Sequence, residues 1–226
     1  MQFAWRYRDS FSNNTLKVLC ESRPFWFVIM DKYYNENYSI LFVKKTFVVK
    51  SEKIGLAILT REDVPEIWRL LTDPEVNRYL NARWRIHYLE NEYEWYENLT
   101  KRSESERAFS VCESNKGKLV GVAFLNEIDF KNRKCHIGYF LDKEYWKKGL
   151  TTEAVRLLKY YCFNELNMRK LHTSTFEPNI GSKRVLEKNG FELIGKYKSH
   201  VYVPSIGFVD ECIYEVFNDD LDSEIG

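Results

Sequence analysis

Cysteine is scarce and scattered: five in 226 residues, at 20, 112, 135, 162 and 212. None forms a CxxC pair or keeps metal-ligand spacing with histidine, and the count is odd. That argues against a disulfide framework and against a zinc site, so no metal is expected. Cys112, Cys135 and Cys162 fall inside apolar patterns and read as small buried hydrophobes. A reducing cytoplasm fits such a set. Net charge is almost absent as well. The 34 Lys and Arg against 33 Asp and Glu leave +1, so no overall field draws the chain to nucleic acid or to a membrane, and any basic site must be local. Long apolar runs are missing: "FWFVIM" at 25–30 is far too short to span a bilayer. Arg6, Arg8 and Asp9 precede any apolar run, unlike a signal peptide. Neither GxxxxGK[ST] nor GxGxxG occurs, which leaves a P-loop and a dinucleotide fold unsupported.

What is present is an aromatic-rich chain (16% Phe, Trp and Tyr) long enough for one domain with an extension. Residues 1–53 differ in texture from the rest. "FWFVIM" and "ILFVKKTFVVK" (40–50) read as two strands. A lone hairpin is marginal in water, so these strands must pack on the main body or on a second subunit, as in a homodimer. From 54 onward strands and helices alternate. "IGLAIL" (54–59) is a strand, and Thr60 with Asp63 forms a capping box before the helical face Val64, Ile67, Trp68 and Leu71. A helix is expected over 88–102. Strands follow at 108–114, 118–130 and 134–141, then a helix over 150–166, a strand at 170–176 and a helix over 178–190. Two closing strands flank "PSIG", and 218–226 is an acidic tail.

"WKKGLTTEA" (146–154) lies where strand gives way to helix. The first turn of a helix offers unpaired N–H donors and partial positive charge, a natural phosphate seat. Gly149 would let the backbone approach without a Cβ, Lys147 and Lys148 add point charges, and Thr151 and Thr152 add hydroxyls. A plain solvated turn has the same composition.

The wider segment "HIGYFLDKEYWKKGLTTEAVRLL", followed by "NIGSKRVLEKNGF", resembles the GNAT superfamily of acyl-CoA-dependent N-acetyltransferases, in particular the ribosomal-protein and spermidine branch. The likeness covers about 54–217, with its specific part at 136–191. It implies an α/β (α+β) fold: a mixed, mostly antiparallel sheet with helices on both faces, and a splay between its fourth and fifth strands, 134–141 and 170–176. It also implies acetyl-CoA as cosubstrate. The family's pyrophosphate signature maps to Trp146, Lys147, Lys148, Gly149, Leu150 and Thr151, with Trp146 in place of Gln/Arg and Thr151 in place of a small residue. Backbone groups of Phe140, Leu141 and Asp142 would bond the pantetheine arm, and Asn179 would reach it from the following helix.

Direct acetyl transfer to an amine requires loss of an ammonium proton, donors for the oxyanion and a proton for the departing thiolate. The tyrosine that many relatives use as acid is replaced by Leu186, leaving the Ser182 hydroxyl beside the coenzyme sulfur as candidate. The glutamate of ribosomal-type relatives aligns with Val201, so the base candidates are its neighbour His200, and Glu127 and Asp129 at a strand end. Glu90, Glu92, Glu94 and Glu97 beside Tyr93, Trp95 and Tyr96 would attract a cationic amine or form a solvated face. The acceptor would be a protein N-terminus or a small amine. A non-catalytic acyl-CoA-binding protein on the same fold is the alternative.

Overall fold

The computed structural model describes residues 45–80, 86–204 and 206–218. The strand expected at 25–30 and the end of the acidic tail lie outside them. Eight strands form one sheet in the order β1-β2-β3-β4-β5-β6-β8-β7. They are β1 (Phe47–Lys50), β2 (Ile54–Ile58), β3 (Arg107–Glu113), β4 (Leu119–Asp129), β5 (Lys134–Leu141), β6 (Lys170–Phe176), β7 (Glu192–Val203) and β8 (Gly207–Phe217). Only β5 and β6 run parallel; every other neighbouring pair is antiparallel.

Period-two alternation divides the strand side chains between two layers. One face carries Ile54, Leu56, Val111, Leu125, Ile137, Leu171 and Tyr214 into a core closed by α3 (Leu150–Tyr160) and α4 (Ile180–Lys188). The helices meet it through Ala154, Val155, Leu157, Leu158 and Leu186, spaced along one stripe of each. The opposite face of β2–β4 packs Ala57, Cys112 and Val122 under α1 (Val64–Thr72) and α2 (Leu89–Lys101), which contribute Ile67, Leu70, Trp95 and Tyr96. The expected capping box forms: Asp63 Oδ2 accepts from the Thr60 N–H at 3.0 Å. Asp63 is also buried, where it accepts from Ser110 Oγ (2.7 Å) and pairs with Lys45.

The helix expected over 150–166 changes pitch. After Tyr160 the chain takes a π turn, Tyr161–Glu165, in which Leu166 N–H donates to the Tyr161 carbonyl five residues back (3.1 Å). The wider turn accommodates Tyr161, whose hydroxyl accepts from Arg107 (2.7 Å), and buried Cys162, whose Sγ lies 4.0 Å from that of Cys135. Cys112, Cys135 and Cys162 are all buried free thiols.

Candidate active site

The sheet is incomplete at its centre. β5 and β6 pair over Lys134, Cys135 and His136 against Lys170, Leu171 and His172. Beyond that rung the buried Thr173 hydroxyl donates to the Ile137 carbonyl (2.8 Å), and the strands part where the splay was expected. The other edge of β5 stays paired with β4 up to Asp142, whose N–H donates to the Val120 carbonyl (2.8 Å). Antiparallel alternation then points the backbone groups of Phe140 at β4 and those of Tyr139 and Leu141 into the gap. Asp142 is fully engaged elsewhere: its carbonyl accepts from Tyr145 N–H (2.9 Å), and its carboxylate accepts from Glu144 N–H (3.0 Å) and pairs with Arg69. Of the three residues expected to offer backbone groups to a pantetheine arm, Leu141 turns its N–H to the gap, as Tyr139 does, whereas Phe140 and Asp142 turn theirs to β4.

At the mouth of this gap the chain makes the turn that the lysines and glycine suggested. Lys147 (φ 60°) and Gly149 (φ 78°) both take left-handed conformations, and α3 begins at the next residue. No heavy atom lies within 4 Å of where a Gly149 Cβ would stand, so the space above this backbone is open. The Trp146 indole N–H donates to the Leu141 carbonyl (2.9 Å), so this departure from the family signature fastens the turn to β5.

α4 supplies the opposite wall. The Asn179 side chain caps it, accepting from Ser182 N–H (3.2 Å). Ser182 Oγ lies 3.0 Å from the Tyr139 hydroxyl, which arrives from β5. Burial raises the Tyr139 pKa above the ordinary tyrosine value, so this phenol keeps its proton. Leu186, at the position of the family tyrosine, is wholly buried in the core. Sequence reasoning missed Tyr139, because its partnership with Ser182 joins a strand and a helix 43 residues apart.

Together these elements line a cavity of about 720 Å³. Of the expected residues it collects Phe140, Leu141, Trp146, Lys147, Gly149, Thr151, Thr152, Asn179 and Ser182. Lys148 and Leu150 instead line a second hollow of about 380 Å³ on the other side of the same turn, with Ser51 and Lys53. The main cavity also takes in Arg78, Arg184 and Lys188, so its walls hold four basic side chains, counting Lys147, against the single carboxylate of Glu75. The α4 pair was legible as an i, i+4 spacing on one helix face.

The candidate bases lie outside these walls. Asp129 turns the β4–β5 connection, accepting from Asn132 Nδ2 (2.6 Å) and Asn132 N–H (2.9 Å), and these bonds lower its pKa. Glu127 sits on a bulge with φ 51° and places a carboxylate oxygen 3.8 Å from His172 Nε2. His200 is exposed on β7, stacked 5.0 Å from Tyr197 and 3.6 Å from Glu211. On α2, Glu92 is buried against His87 Nδ1 (3.0 Å) and Glu97 pairs with Arg61 (2.7 Å), so these two carboxylates already hold protein partners. Lys143 bridges Asp73 (2.8 Å) and Glu75 (2.7 Å), tying the end of α1 to the turn after β5.

This geometry coincides with the reach of a known family. The Acetyltransferase (GNAT) domain family matches residues 53–192. The chain belongs to the GNAT acetyltransferase family. Among its relatives, "Probable N-acetyltransferase YjcK" of Bacillus subtilis (strain 168) is 34% identical over 128 residues, 56% of this chain and 69% of that protein. The spermidine N(1)-acetyltransferase of Escherichia coli (strain K12) is 27% identical over 160 residues, 68% of this chain and 80% of that enzyme. Among solved structures, RimL, a ribosomal L7/L12 alpha-N-protein acetyltransferase in complex with coenzyme A, superposes with a TM-score of 0.70 at 18% identity, covering 76% of this chain and 98% of that one. The last likeness is one of fold. This GNAT chain is thus an N-acetyltransferase with a divided sheet. Among its described residues no helix is long and apolar enough to cross a membrane, and no metal-binding cluster occurs.

Proposed function

We propose that the protein transfers the acetyl group of acetyl-CoA directly to a primary amine, either a protein N-terminus or a small amine such as a polyamine, with no covalent enzyme intermediate. The observation that carries this reading is a single basic cavity that joins the Gly149 turn to the Tyr139–Ser182 hydroxyl pair through the gap in the sheet. The residues fit the coenzyme. The unpaired N–H groups at the start of α3, with Lys147, Arg184 and Lys188, suit its phosphates. The Leu141 N–H and the Tyr139 carbonyl in the gap suit an amide-bearing arm, and the Tyr139 N–H would serve as oxyanion donor. The Tyr139 hydroxyl, hydrogen-bonded to Ser182 Oγ, donates the proton to the leaving thiolate directly or through that serine. The described cysteines are buried away from the cavity walls, which supports direct transfer.

Both acceptor classes have precedent among the relatives: one acts on spermidine and another on a ribosomal protein's α-amine. The test is thiol release from acetyl-CoA in the presence of spermidine or of peptides with free N-termini. Acceptor-stimulated release is expected with one class. Tight acetyl-CoA binding with no stimulated release by either would instead identify a non-catalytic acyl-CoA-binding protein.

A further inference from the structure

Cys135 and Ile137 of β5, and Leu171 and Thr173 of β6, point into the core beneath α3 and α4, where all are buried. Strand alternation therefore places His136 and His172 on the opposite face of the sheet, the face on which α1 and α2 pack further along. The two residues are register partners on the last rung before the strands part. Their rings meet edge to face, with centroids 5.4 Å apart and planes at 71°. The pair thus sits at the closed end of the gap, one strand residue short of Ile137 and three short of Tyr139. Neither ring is among the residues that line the cavity; an amine reaching a thioester in the gap from the face opposite α3 and α4 would pass this end of β5 and β6.

We infer that His136 and His172 form a paired imidazole site that takes a proton from the acceptor ammonium and passes it to solvent by way of Glu127. This rests on the acetyl-transfer reading above. One ammonium N–H bond breaks as an imidazole N–H forms. The freed lone pair makes the C–N bond to the thioester carbonyl carbon, and the C–S bond breaks as the tetrahedral adduct collapses. A second amine proton, lost from the adduct as it collapses, returns to the Tyr139–Ser182 pair to replace the one given to sulfur, the third stays on the amide, and one proton per turnover leaves to water.

The surroundings suit a proton acceptor. Burial lowers the pKa of both rings below the ordinary histidine value, with the charge of His172 adding to the effect at His136 and Glu127 opposing it at His172. They are neutral at pH 7 and able to accept. The left-handed bulge brings the Glu127 carboxylate to 3.8 Å from His172, where it offsets the charge of the imidazolium and reaches water. Of the other charged groups facing the pair, Glu211 accepts from Ser174 Oγ (2.5 Å) and lies 3.6 Å from His200, Glu215 is paired with Lys170, and Lys134 on β5 adds to the lowering of the His172 pKa. Sequence reasoning passed over both histidines because neither strand alone shows the other.

The experiment compares wild type with His136→Gln, His172→Gln and the double variant, using acetyl-CoA and whichever of spermidine or an N-terminal peptide the wild type acetylates faster. We expect kcat at pH 7 to fall about 100-fold, with acetyl-CoA affinity within twofold of wild type as the control for folding. The acidic limb of kcat/KM, placed below the ordinary histidine pKa in wild type, should vanish in the double variant. The deficit should shrink toward pH 9.5, where a peptide α-amine arrives already deprotonated and the deprotonated share of a polyamine amine has risen by more than tenfold over pH 7. Two of the four histidine ring signals should titrate below the ordinary value in NMR, each shifting when the other is substituted. An unchanged acidic limb, or a deficit equal at pH 7 and 9.5, would assign the rings to packing alone and overturn the proposal. A wild type that acetylates neither acceptor would remove the transfer reading itself, a result visible before any variant is made.

Discussion

Replacing Gly149 separates backbone strain from charge. The residue holds φ 78°, a conformation that costs an L-residue roughly 1 kcal/mol. Gly149→Ala adds only that strain, because a Cβ there meets nothing within 4 Å. Its melting temperature should fall by about 2–4 °C, with acetyl-CoA affinity reduced less than tenfold. Gly149→Glu adds the same strain and a carboxylate where a phosphate is expected. Two like charges about 4 Å apart at an effective dielectric of about 20 repel by about 4 kcal/mol. Exposed Lys147 and Lys148 and the mobility of the added side chain reduce that figure. A loss of roughly 100-fold in affinity beyond Gly149→Ala is therefore expected. Isothermal titration with acetyl-CoA measures the difference, and thermal unfolding confirms that the two variants are equally stable. If Gly149→Glu binds within threefold of Gly149→Ala, no anion rests on this turn and the coenzyme lies elsewhere.

Tyr139→Phe should lower kcat by about 10- to 100-fold while leaving acetyl-CoA affinity unchanged, and Ser182→Ala should add less than its single effect on top of it, since the two hydroxyls are 3.0 Å apart; steady-state kinetics of the double-mutant cycle checks this. Glu177 is held at a pKa of about 2, from an ordinary 4.5, by hydrogen bonds from the Cys212 thiol (2.7 Å), Lys183 (2.8 Å) and Lys196 (2.9 Å). Because the folded value is the lower one, its contribution is complete above pH 4.5 and is lost as pH falls toward 2, so Glu177→Gln should unfold at a higher pH in an acid titration followed by circular dichroism. Gly121→Ala would place a Cβ 2.3 Å from the Phe140 carbonyl oxygen. It should force β4 and β5 apart and lower both melting temperature and acetyl-CoA affinity.

The parts of the fold that the sequence announces are local ones. Strand alternation in 134–141, the Thr60–Asp63 box and the Asn179 cap each depend on neighbours within a few residues, and each stands in the structure. The resemblance at 136–191 added the splay. What stayed hidden depends on partners distant in the chain. Asp63 reads as a cap, but its burial against Ser110 and Lys45 does not follow from a four-residue pattern. The π turn at Tyr161–Glu165 answers to Arg107 and Cys135. Asp142 matched the family strand end, yet strand parity turns its N–H to Val120. Tyr139 with Ser182, and His136 with His172, meet only once the sheet register is set.

The brief parallel pairing of β5 and β6 also bears on how the molecule breathes. Past the third rung the backbone ladder stops, and the gap-facing peptide groups of β5 turn to side chains, as the Ile137 and Leu141 carbonyls do, or to a visitor. Local opening there is opposed by side-chain bonds across the gap, the Thr173 hydroxyl on the Ile137 carbonyl and the Tyr139–Ser182 pair, rather than by a backbone ladder. A bound arm laid along β5 acts as a missing strand, so occupancy tightens the scaffold that holds it. At a hundred times the dissociation constant that tightening amounts to about 2.7 kcal/mol.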